Sequence, residues 1–201
     1  MTARHILFSG PMVRAILDGR KTQTRRIFAL RRRVDAMEVE FIDGEAWAAI
    51  DGEPWRVPCP YGSPGDRLWV RETWAPIPRR PIPQAECWWG SDRDWPGAMD
   101  LPECPERAGK ALVYAATWDD RYPMRGHWHP SIHMPRWASR LTLQVEAARV
   151  ERLQDITEED ARTEGVSSVA EYADLWDRIN GKRAPWSANP WVWVVTFGRV
   201  A

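Results

Sequence analysis

The sequence predicts a mainly β protein of the α+β class: a small, partly closed β-barrel with three short helices. Three observations favour this fold. About five to seven segments alternate in polarity or are rich in β-branched residues, the helical segments are short, and strands and helices do not alternate as in a doubly wound fold. The 201 residues suit one domain, residues 1–201, with irregular insertions at about 29–56 and 76–108.

The first half of the chain contains the first helix and three of the predicted strands. Residues 4–9 (RHILFS) form a short strand, and 11–18 form a two-turn helix with proline in its first turn and glycine just past its end. The segment 21–27 (KTQTRRI) is a strand that is polar on both faces, which suits the wall of a site. After a turn-rich stretch, residues 67–74 (RLWVRETW) alternate as a strand.

The second half contains the remaining elements. Residues 111–118 form a strand, and 139–153 form one long strand or two that are joined at a bulge. A Thr-x-x-Asp capping box begins a helix at 158–164, which a glycine closes. A second helix follows at 168–180, and 191–200 (WVWVVTFGRV) is the final strand.

The two insertions differ in composition. The segment 76–108 is rich in proline and tryptophan, and it is either a lid or a structural excursion pinned by its indoles. The segment 29–56 carries few periodic patterns, so the sequence predicts no regular element there.

Positive charge is concentrated near the N-terminus. The formal net charge is zero, but residues 1–33 hold nine basic side chains and one acidic one, which makes this segment +8 and the remainder −8. A local basic patch of this kind is typical of a site for a phosphate-bearing ligand. The alternative is a solvated arginine-rich loop at 31–33.

Composition excludes several classes of protein. No apolar run approaches the roughly 20 residues of a membrane-spanning helix, and the N-terminus lacks a secretory signal, so we expect a cytoplasmic protein with no membrane partner. Cys59, Cys87 and Cys104 are odd in number and widely spaced, which argues against a disulfide framework. The common dinucleotide, P-loop, zinc-protease and serine-hydrolase motifs are missing, and no cofactor is predicted.

Three histidines suggest a metal hypothesis. His127, His129 and His133 could offer imidazole nitrogens to zinc, with one of the cysteines as a fourth ligand. Their spacing matches no standard zinc pattern, and the surrounding Trp and Pro indicate packed loop histidines instead. The sequence therefore predicts no metal site.

The segment GRKTQTRR holds Lys21 and Thr24 among three arginines. Neighbouring positive charges tend to lower the pKa of a lysine and to stabilise an anionic intermediate. Such a lysine can act as a base on a threonine hydroxyl, which then becomes a nucleophile. On an ideal strand, positions 21 and 24 point to opposite faces, so the pair converges only if the backbone turns or bulges at Lys21. The alternative is a basic strand that binds phosphate without chemistry.

These motifs together resemble the ASCH domain family of the PUA-like β-barrel superfamily. The resemblance is carried by GRKTQTRR after a short helix, PGDRLWVRE, ITEEDARTEGV and WVWVVTF. It is closest to the long ASCH proteins of phages and prophages, and includes ILFSGPMVRAILDGRKTQTRR and SIHMPRWASRLTL. It covers the chain except for the two insertions.

The resemblance implies an RNA- or nucleotide-binding barrel with its site in a cleft beside the lysine motif. Small bacterial members of the family remove the acyl group from N4-acetylcytidine with a Lys, a Thr and a Glu. The matching positions here are Lys21, Thr24 and Glu164, and Arg26 matches the arginine of the motif. An arginine suits a phosphate or an oxyanion.

Residues of the next strand are candidates for substrate binding. Trp69 or Trp74 could stack on a base, and Arg71 and Glu72 could line the pocket. The alternatives are that the indoles belong to the core and that the charged pair is structural.

The function we predict is hydrolysis of the acyl group of a modified nucleoside or base. The main alternative is a non-catalytic module that binds nucleic acid, RNA in preference to DNA, and a nuclease is a third, less favoured reading. An enzyme needs a closed pocket of nucleoside size, whereas a binding module needs an open basic groove and an affinity that falls with salt. The sequence leaves the natural substrate and the oligomeric state open.

Overall fold

The computed structural model describes residues 3–28, 39–42, 45–50, 53–78, 110–118 and 127–200. It belongs to the α+β class, with mainly strands and a few short helices. The chain divides into two compact units. The first unit comprises Met1–Ile6, Ala15–Trp69 and Leu141–Ala201, and the second comprises Leu7–Arg14 and Val70–Arg140.

The regular elements are short. The strands in the described ranges are β1 (Ala3–Leu7), β2 (Gln23–Ile27), β3 (Val39–Ile42), β4 (Glu45–Ile50), β5 (Glu53–Val57), β6 (Arg67–Arg71), β7 (Trp74–Pro78), β8 (Lys110–Tyr114), β9 (Thr142–Arg152) and β10 (Trp191–Val200). The α-helices there are α1 (Gly10–Leu17), α2 (Glu158–Thr163) and α3 (Val169–Asn180). Turns of 3-10 helix lie at Ser131–His133, Arg136–Ala138, Leu153–Asp155 and Trp186–Ala188. Among the described residues, no helix is both long enough and apolar enough to cross a membrane.

The main sheet has five strands in the order β1-β6-β9-β10-β2. Strand β10 pairs antiparallel with both β9 and β2, and half of its residues are buried. Within the described ranges the sheet is open, with β1 and β2 at its edges. The prediction that the sheet closes partly into a β-barrel is therefore not confirmed.

The long strand at 139–153 is confirmed as β9, with the bulge that its length suggested. The register with β10 shifts between Thr196 and Phe197, which pair with Ala147 and Val145. Glu146 is the extra residue, and a bulge of this kind increases the local twist of a strand pair.

One core of the first unit lies between β10 and the two C-terminal helices. Its buried members are Leu153, Ile156, Ala161, Tyr172, Trp176, Val192 and Val194. Val192 and Val194 are two residues apart, so one face of β10 supplies the sheet side of this core. Ala161 of α2 packs in this core against β10. Because β2 is hydrogen-bonded to β10, the packing places α2 beside β2.

The turn segment that precedes β6 contacts the β1 edge of the main sheet. Arg4 of β1 donates a hydrogen bond to the Cys59 carbonyl oxygen over 2.8 Å. Burial raises the pKa of Tyr61, and the positive charge of Arg26 on β2 opposes that rise. The Arg4 hydrogen bond therefore holds the turn at Cys59 against β1.

Two predictions about regular structure were wrong. The predicted insertion at 29–56 is not irregular throughout, because β3, β4 and β5 form an antiparallel three-stranded sheet over residues 39–57. These strands have four to six residues, and the buried side of β4 is alanine, which gives little periodic signal. The single strand predicted at 67–74 is two strands, since the Glu72 amide hydrogen-bonds to the Met134 sulfur instead of a neighbouring strand.

The Pro- and Trp-rich insertion at 76–108 is described only at its start. Strand β7 includes its first residues, 76–78, and pairs antiparallel with β8. The rest of this predicted insertion lies outside the described residues. The β7–β8 hairpin belongs to the second unit, where Trp74, Leu112 and Tyr114 pack with Met134.

Gly165 follows α2 in a conformation that favours glycine. Its φ is +90°, and an added Cβ would lie 3.1 Å from the Cβ of Ala15 and 3.4 Å from the Cβ of Lys21. Gly65 has a similar φ of +92° but open space around it. We expect Gly65→Ala to lower the free energy of unfolding by about 1 kcal/mol through backbone strain alone. Gly165→Ala should cost at least about 1 kcal/mol more, because the methyl group also displaces its neighbours.

Urea unfolding of the two variants checks this expectation, with Gly65→Ala as the matched control. Equal losses in both variants would show that the close approach of Gly165 to Lys21 is unimportant.

Candidate functional site

A turn between α1 and β2 positions Lys21. Gly19 has a φ of +74°, and the amides of Arg20 and Lys21 both donate to the Ala15 carbonyl oxygen. The Thr22 amide then donates to the Thr163 carbonyl oxygen of α2. Lys21 thus precedes the strand, and the backbone turn that the sequence required at this position is present.

The structure brings Lys21 and Glu164 together as a buried ion pair. The Lys21 side chain is fully buried, and its Nζ lies 2.6 Å from Glu164 Oε2. The same nitrogen donates to the Glu164 carbonyl oxygen and to the Gln23 carbonyl oxygen, each over 2.8 Å. Burying an ammonium is costly unless it is paired and hydrogen-bonded, and three oxygens meet that requirement here.

Burial changes the proton affinity of this lysine. It lowers the pKa of Lys21 from its ordinary value, although the Glu164 carboxylate opposes the change. The charges of Arg26 and Arg25 lower the pKa further. A lysine with a lowered pKa gives up a proton more readily than an exposed one, which is a property of lysine bases.

The second oxygen of Glu164 contacts Arg25. Arg25 Nη1 lies 3.5 Å from Glu164 Oε1, and Arg25 Nη2 lies 3.2 Å from both Glu151 Oε2 and Asp160 Oδ2. The Arg25 side chain is fully buried. We call Lys21, Arg25, Glu151, Asp160 and Glu164 the charge network. It links α2 to β2 and β9 in the first unit.

Asp160 has a second role at the start of α2. Its carboxylate accepts hydrogen bonds from the amide and hydroxyl of Thr157, which completes the predicted capping box. It also accepts a bond from Gln23 Nε2 over 2.9 Å. Burial alone would raise the pKa of Asp160, but the Gln23 and Thr157 hydrogen bonds and the Arg25 charge lower it from 3.8 to about 2.

Tyr172 of α3 is a further neighbour of Glu164. Burial raises the pKa of Tyr172 well above its ordinary value, and the charge of Glu164 and a hydrogen bond to it raise it further. The phenol therefore stays protonated and donates to the carboxylate. Sequence reasoning missed the role of Arg25, because its partners are more than 120 residues away in the chain. It also missed Tyr172, because the contact with Glu164 depends on how α3 packs rather than on a local motif.

Thr24 and Arg26 alternate along β2 with Gln23 and Arg25. Gln23 and Arg25 both contact Asp160 of α2. Thr24 is buried. The Gln23 carbonyl that binds Lys21 Nζ belongs to the peptide joining Gln23 to Thr24, so the lysine amine lies against the backbone of Thr24.

The remaining predicted binding residues belong to the second unit. Arg71 Nη1 donates to the Ile132 carbonyl oxygen over 3.2 Å. Glu72 is buried in a two-point pair with Arg140, at 2.9 Å and 3.0 Å. Trp74 is buried and its ring stacks on His129 with centroids 4.9 Å apart.

Trp69 packs in the first unit. It is buried, and its ring lies 5.7 Å from that of His5 between centroids. Both Trp69 and Trp74 are thus buried, which agrees with the alternative that these indoles belong to the core.

The predicted basic patch is smaller than the formal charge suggests. Lys21 and Arg25 are buried and paired with carboxylates, so they add no exposed positive charge. Residues 31–33 lie outside the described ranges.

The metal hypothesis gains no support. Among the residues that the structure describes, no group of three or more His, Cys, Asp or Glu side chains is placed to hold a metal ion. That search includes His127, His129 and His133, whereas Cys87 and Cys104 are outside the described ranges.

Comparisons with protein-family models, curated proteins and solved structures give no match to this chain.

Acid should weaken the contribution of Asp160 to stability. Because its folded-state pKa is lowered, this contribution is present above about pH 4 and is lost as the pH falls from about 4 to about 2. We expect Asp160→Asn to lower the free energy of unfolding at pH 7 by about 2 kcal/mol, since one pKa unit corresponds to about 1.4 kcal/mol. Urea unfolding across this pH range measures it. The exposed Glu159→Gln of the same helix turn is the control, and a deficit for Asp160→Asn that persists undiminished at pH 2 contradicts the electrostatic cause.

Removing Arg140 should leave Glu72 as an unpaired buried charge. We expect Arg140→Met to lower the free energy of unfolding by about 3–5 kcal/mol. Adding Glu72→Gln removes the unpaired charge and should restore most of the loss. Denaturant titration of the single and double variants checks this. If Arg140→Met and the double variant have equal free energies of unfolding, the Glu72 charge does not need Arg140 as its partner.

Proposed function

We propose that this chain is an ASCH-type protein of the PUA-like superfamily and a hydrolase. Its reaction is removal of the acyl group from an N4-acylated cytosine nucleoside or base. The observation that carries the proposal is the buried Lys21–Glu164 pair, with Nζ and Oε2 2.6 Å apart. The two residues come from GRKTQTRR and ITEEDARTEGV, which are the motifs that carry the resemblance.

The pair can supply both the base and the acid of an amide hydrolysis. In the resting state, three hydrogen bonds from Nζ to oxygens correspond to an ammonium beside a carboxylate. Transfer of one proton over the 2.6 Å to Glu164 yields a neutral amine and a carboxylic acid. The lowered pKa of Lys21 favours this transfer.

The acylation step then balances without an outside proton. Lys21 takes the hydroxyl proton of Thr24, and the Thr24 oxygen attacks the amide carbonyl carbon of the substrate. The carbon–nitrogen bond breaks, and Glu164 gives its proton to the departing exocyclic nitrogen. The products are cytosine with a free amino group, an acylated Thr24, and the ammonium–carboxylate pair of the resting state.

Water completes the reaction. A second proton transfer from Lys21 to Glu164 restores the neutral amine and the carboxylic acid. Lys21 then accepts a proton from a water molecule as the hydroxide attacks the ester carbon. The bond between the ester carbon and the Thr24 oxygen breaks, Glu164 gives its proton to that oxygen, and a carboxylic acid is released. Arg26 supplies positive charge for the oxyanion of both steps, since its charge acts at Lys21.

Variants of the proposed catalytic residues test the activity. We expect the purified protein to remove the acyl group from N4-acetylcytidine or from a related acylated cytosine. Chromatography detects the deacylated product, which is cytidine in the case of N4-acetylcytidine. Lys21→Met, Glu164→Gln and Thr24→Val should each lower kcat/KM at least about 100-fold. Lys182→Met, which removes an exposed lysine, is the matched control and should retain activity.

The opposite results are equally informative. Full activity in Lys21→Met overturns the assigned role of Lys21. No turnover of any acylated cytosine overturns the hydrolase, and salt-sensitive retention of RNA by the same protein would then favour a binding module.

A further inference from the structure

Protein side chains contact both carboxylate oxygens of Glu164. Oε2 accepts from Lys21 at 2.6 Å, and Oε1 faces Arg25 Nη1 at 3.5 Å. A carboxylate that is held at one oxygen can still rotate about its last side-chain bond, because that torsion is broad. Contacts at both oxygens restrict this rotation, and the Tyr172 phenol donates a further hydrogen bond to the same carboxylate. Of these partners, Arg25 is the one that remains positively charged.

Arg25 is itself anchored from the opposite side. Its Nη2 lies 3.2 Å from a carboxylate oxygen of Glu151 and from one of Asp160. Its Nε is buried without a hydrogen-bond partner, so the guanidinium is held by its terminal nitrogens. A planar guanidinium gripped in this way has a fixed orientation.

This anchoring matters most when the attraction between Lys21 and Glu164 is weakest. In the neutral amine–carboxylic acid state of the proposed reaction, the pair loses its opposite charges. Arg25 remains charged because arginine does not lose its proton in proteins. It therefore holds the glutamate in place through the proton transfer.

We propose that Arg25 is a positioning residue, which Glu151 and Asp160 anchor and which keeps the Glu164 carboxylate on the Lys21 amine. The catalytic consequence rests on the proposed hydrolase, but the positioning can be measured without any activity.

The measurement is the titration of Lys21 itself. The chain has only three lysines, Lys21, Lys110 and Lys182, so ¹³C-lysine labelling yields few side-chain signals to follow by NMR as the pH changes. Glu164 raises the pKa of Lys21, and Glu164→Gln should lower it. The size of that decrease reports how closely the carboxylate is held to the amine.

The decisive comparison repeats Glu164→Gln in an Arg25→Met background. If Arg25 positions Glu164, the decrease in the pKa of Lys21 should fall to half or less of its value with Arg25 present. If Arg25 acts only as a nearby positive charge, Arg25→Met raises the pKa of Lys21 but leaves the effect of Glu164→Gln unchanged or larger. That second result overturns the proposal.

Milder variants cover the case in which Arg25→Met fails to fold. Glu151→Gln removes one anchor of Arg25 on a partly exposed side chain, and it should reduce the effect of Glu164→Gln in the same direction. Arg149→Met is the matched control. Arg149 contacts Glu151 and Asp160, and its loss should leave the Lys21–Glu164 coupling unchanged. Unchanged coupling in Glu151→Gln contradicts the anchoring.

Kinetics separate this proposal from the proposed function. If acylated cytosine is a substrate, Arg25→Met should lower kcat about 10- to 100-fold with KM within about twofold, and Arg25→Lys should recover part of the loss. Loss of coupling without turnover of any substrate would refute the hydrolase and leave the positioning role standing. If the wild-type protein turns over acylated cytosine and the Lys21–Glu164 coupling stays intact in Arg25→Met, the hydrolase stands and the positioning role of Arg25 is refuted.

Discussion

The buried ion pair between Lys21 and Glu164 is the constraint on which the rest of the first unit depends. An ammonium with no exposed surface is tolerated only where oxygens surround it, and those oxygens come from a helix end and from a strand. The turn at Gly19, the close approach of Gly165 and the position of α2 are all needed to supply them. The apolar core under α2 and α3 holds the same two elements together, so packing and charge pairing fix one arrangement.

The charge network fits because helix and strand spacings match. Asp160 and Glu164 are four residues apart at a helical rise of about 1.5 Å each, which separates them by about 6 Å. Gln23 and Arg25 are two residues apart on a strand, which is about 6.6 Å at 3.3 Å per residue. Two carboxylates on α2 can therefore face two side chains on β2. Gln23 binds Asp160, and Arg25 contacts both carboxylates.

The elements that were predicted well are those marked by a local sequence signal. The capping box of α2 and the β-branched run of β10 act over a few residues, and these elements were placed within a residue or two. The sheet of β3 to β5 was missed because the inward side of β4 is alanine, and burial there depends on distant packing. In the site, Lys21 and Glu164 came from motifs. Arg25 was read as a flanking charge, since its partners at 151, 160 and 164 are more than 120 residues away.

The choice between lysine and arginine follows the chemistry at each position. The chain has 25 arginines and only three lysines, yet a lysine occupies the fully buried position 2.6 Å from Glu164 Oε2. A lysine can lose its proton when it is desolvated, whereas an arginine keeps its charge. A permanent charge suits Arg25, whose three carboxylate neighbours need a cation in every protonation state of the site. Exchanging the two residues would place a permanent charge where the proposed reaction needs a base, and a group able to lose its charge where the surrounding acids need a fixed cation.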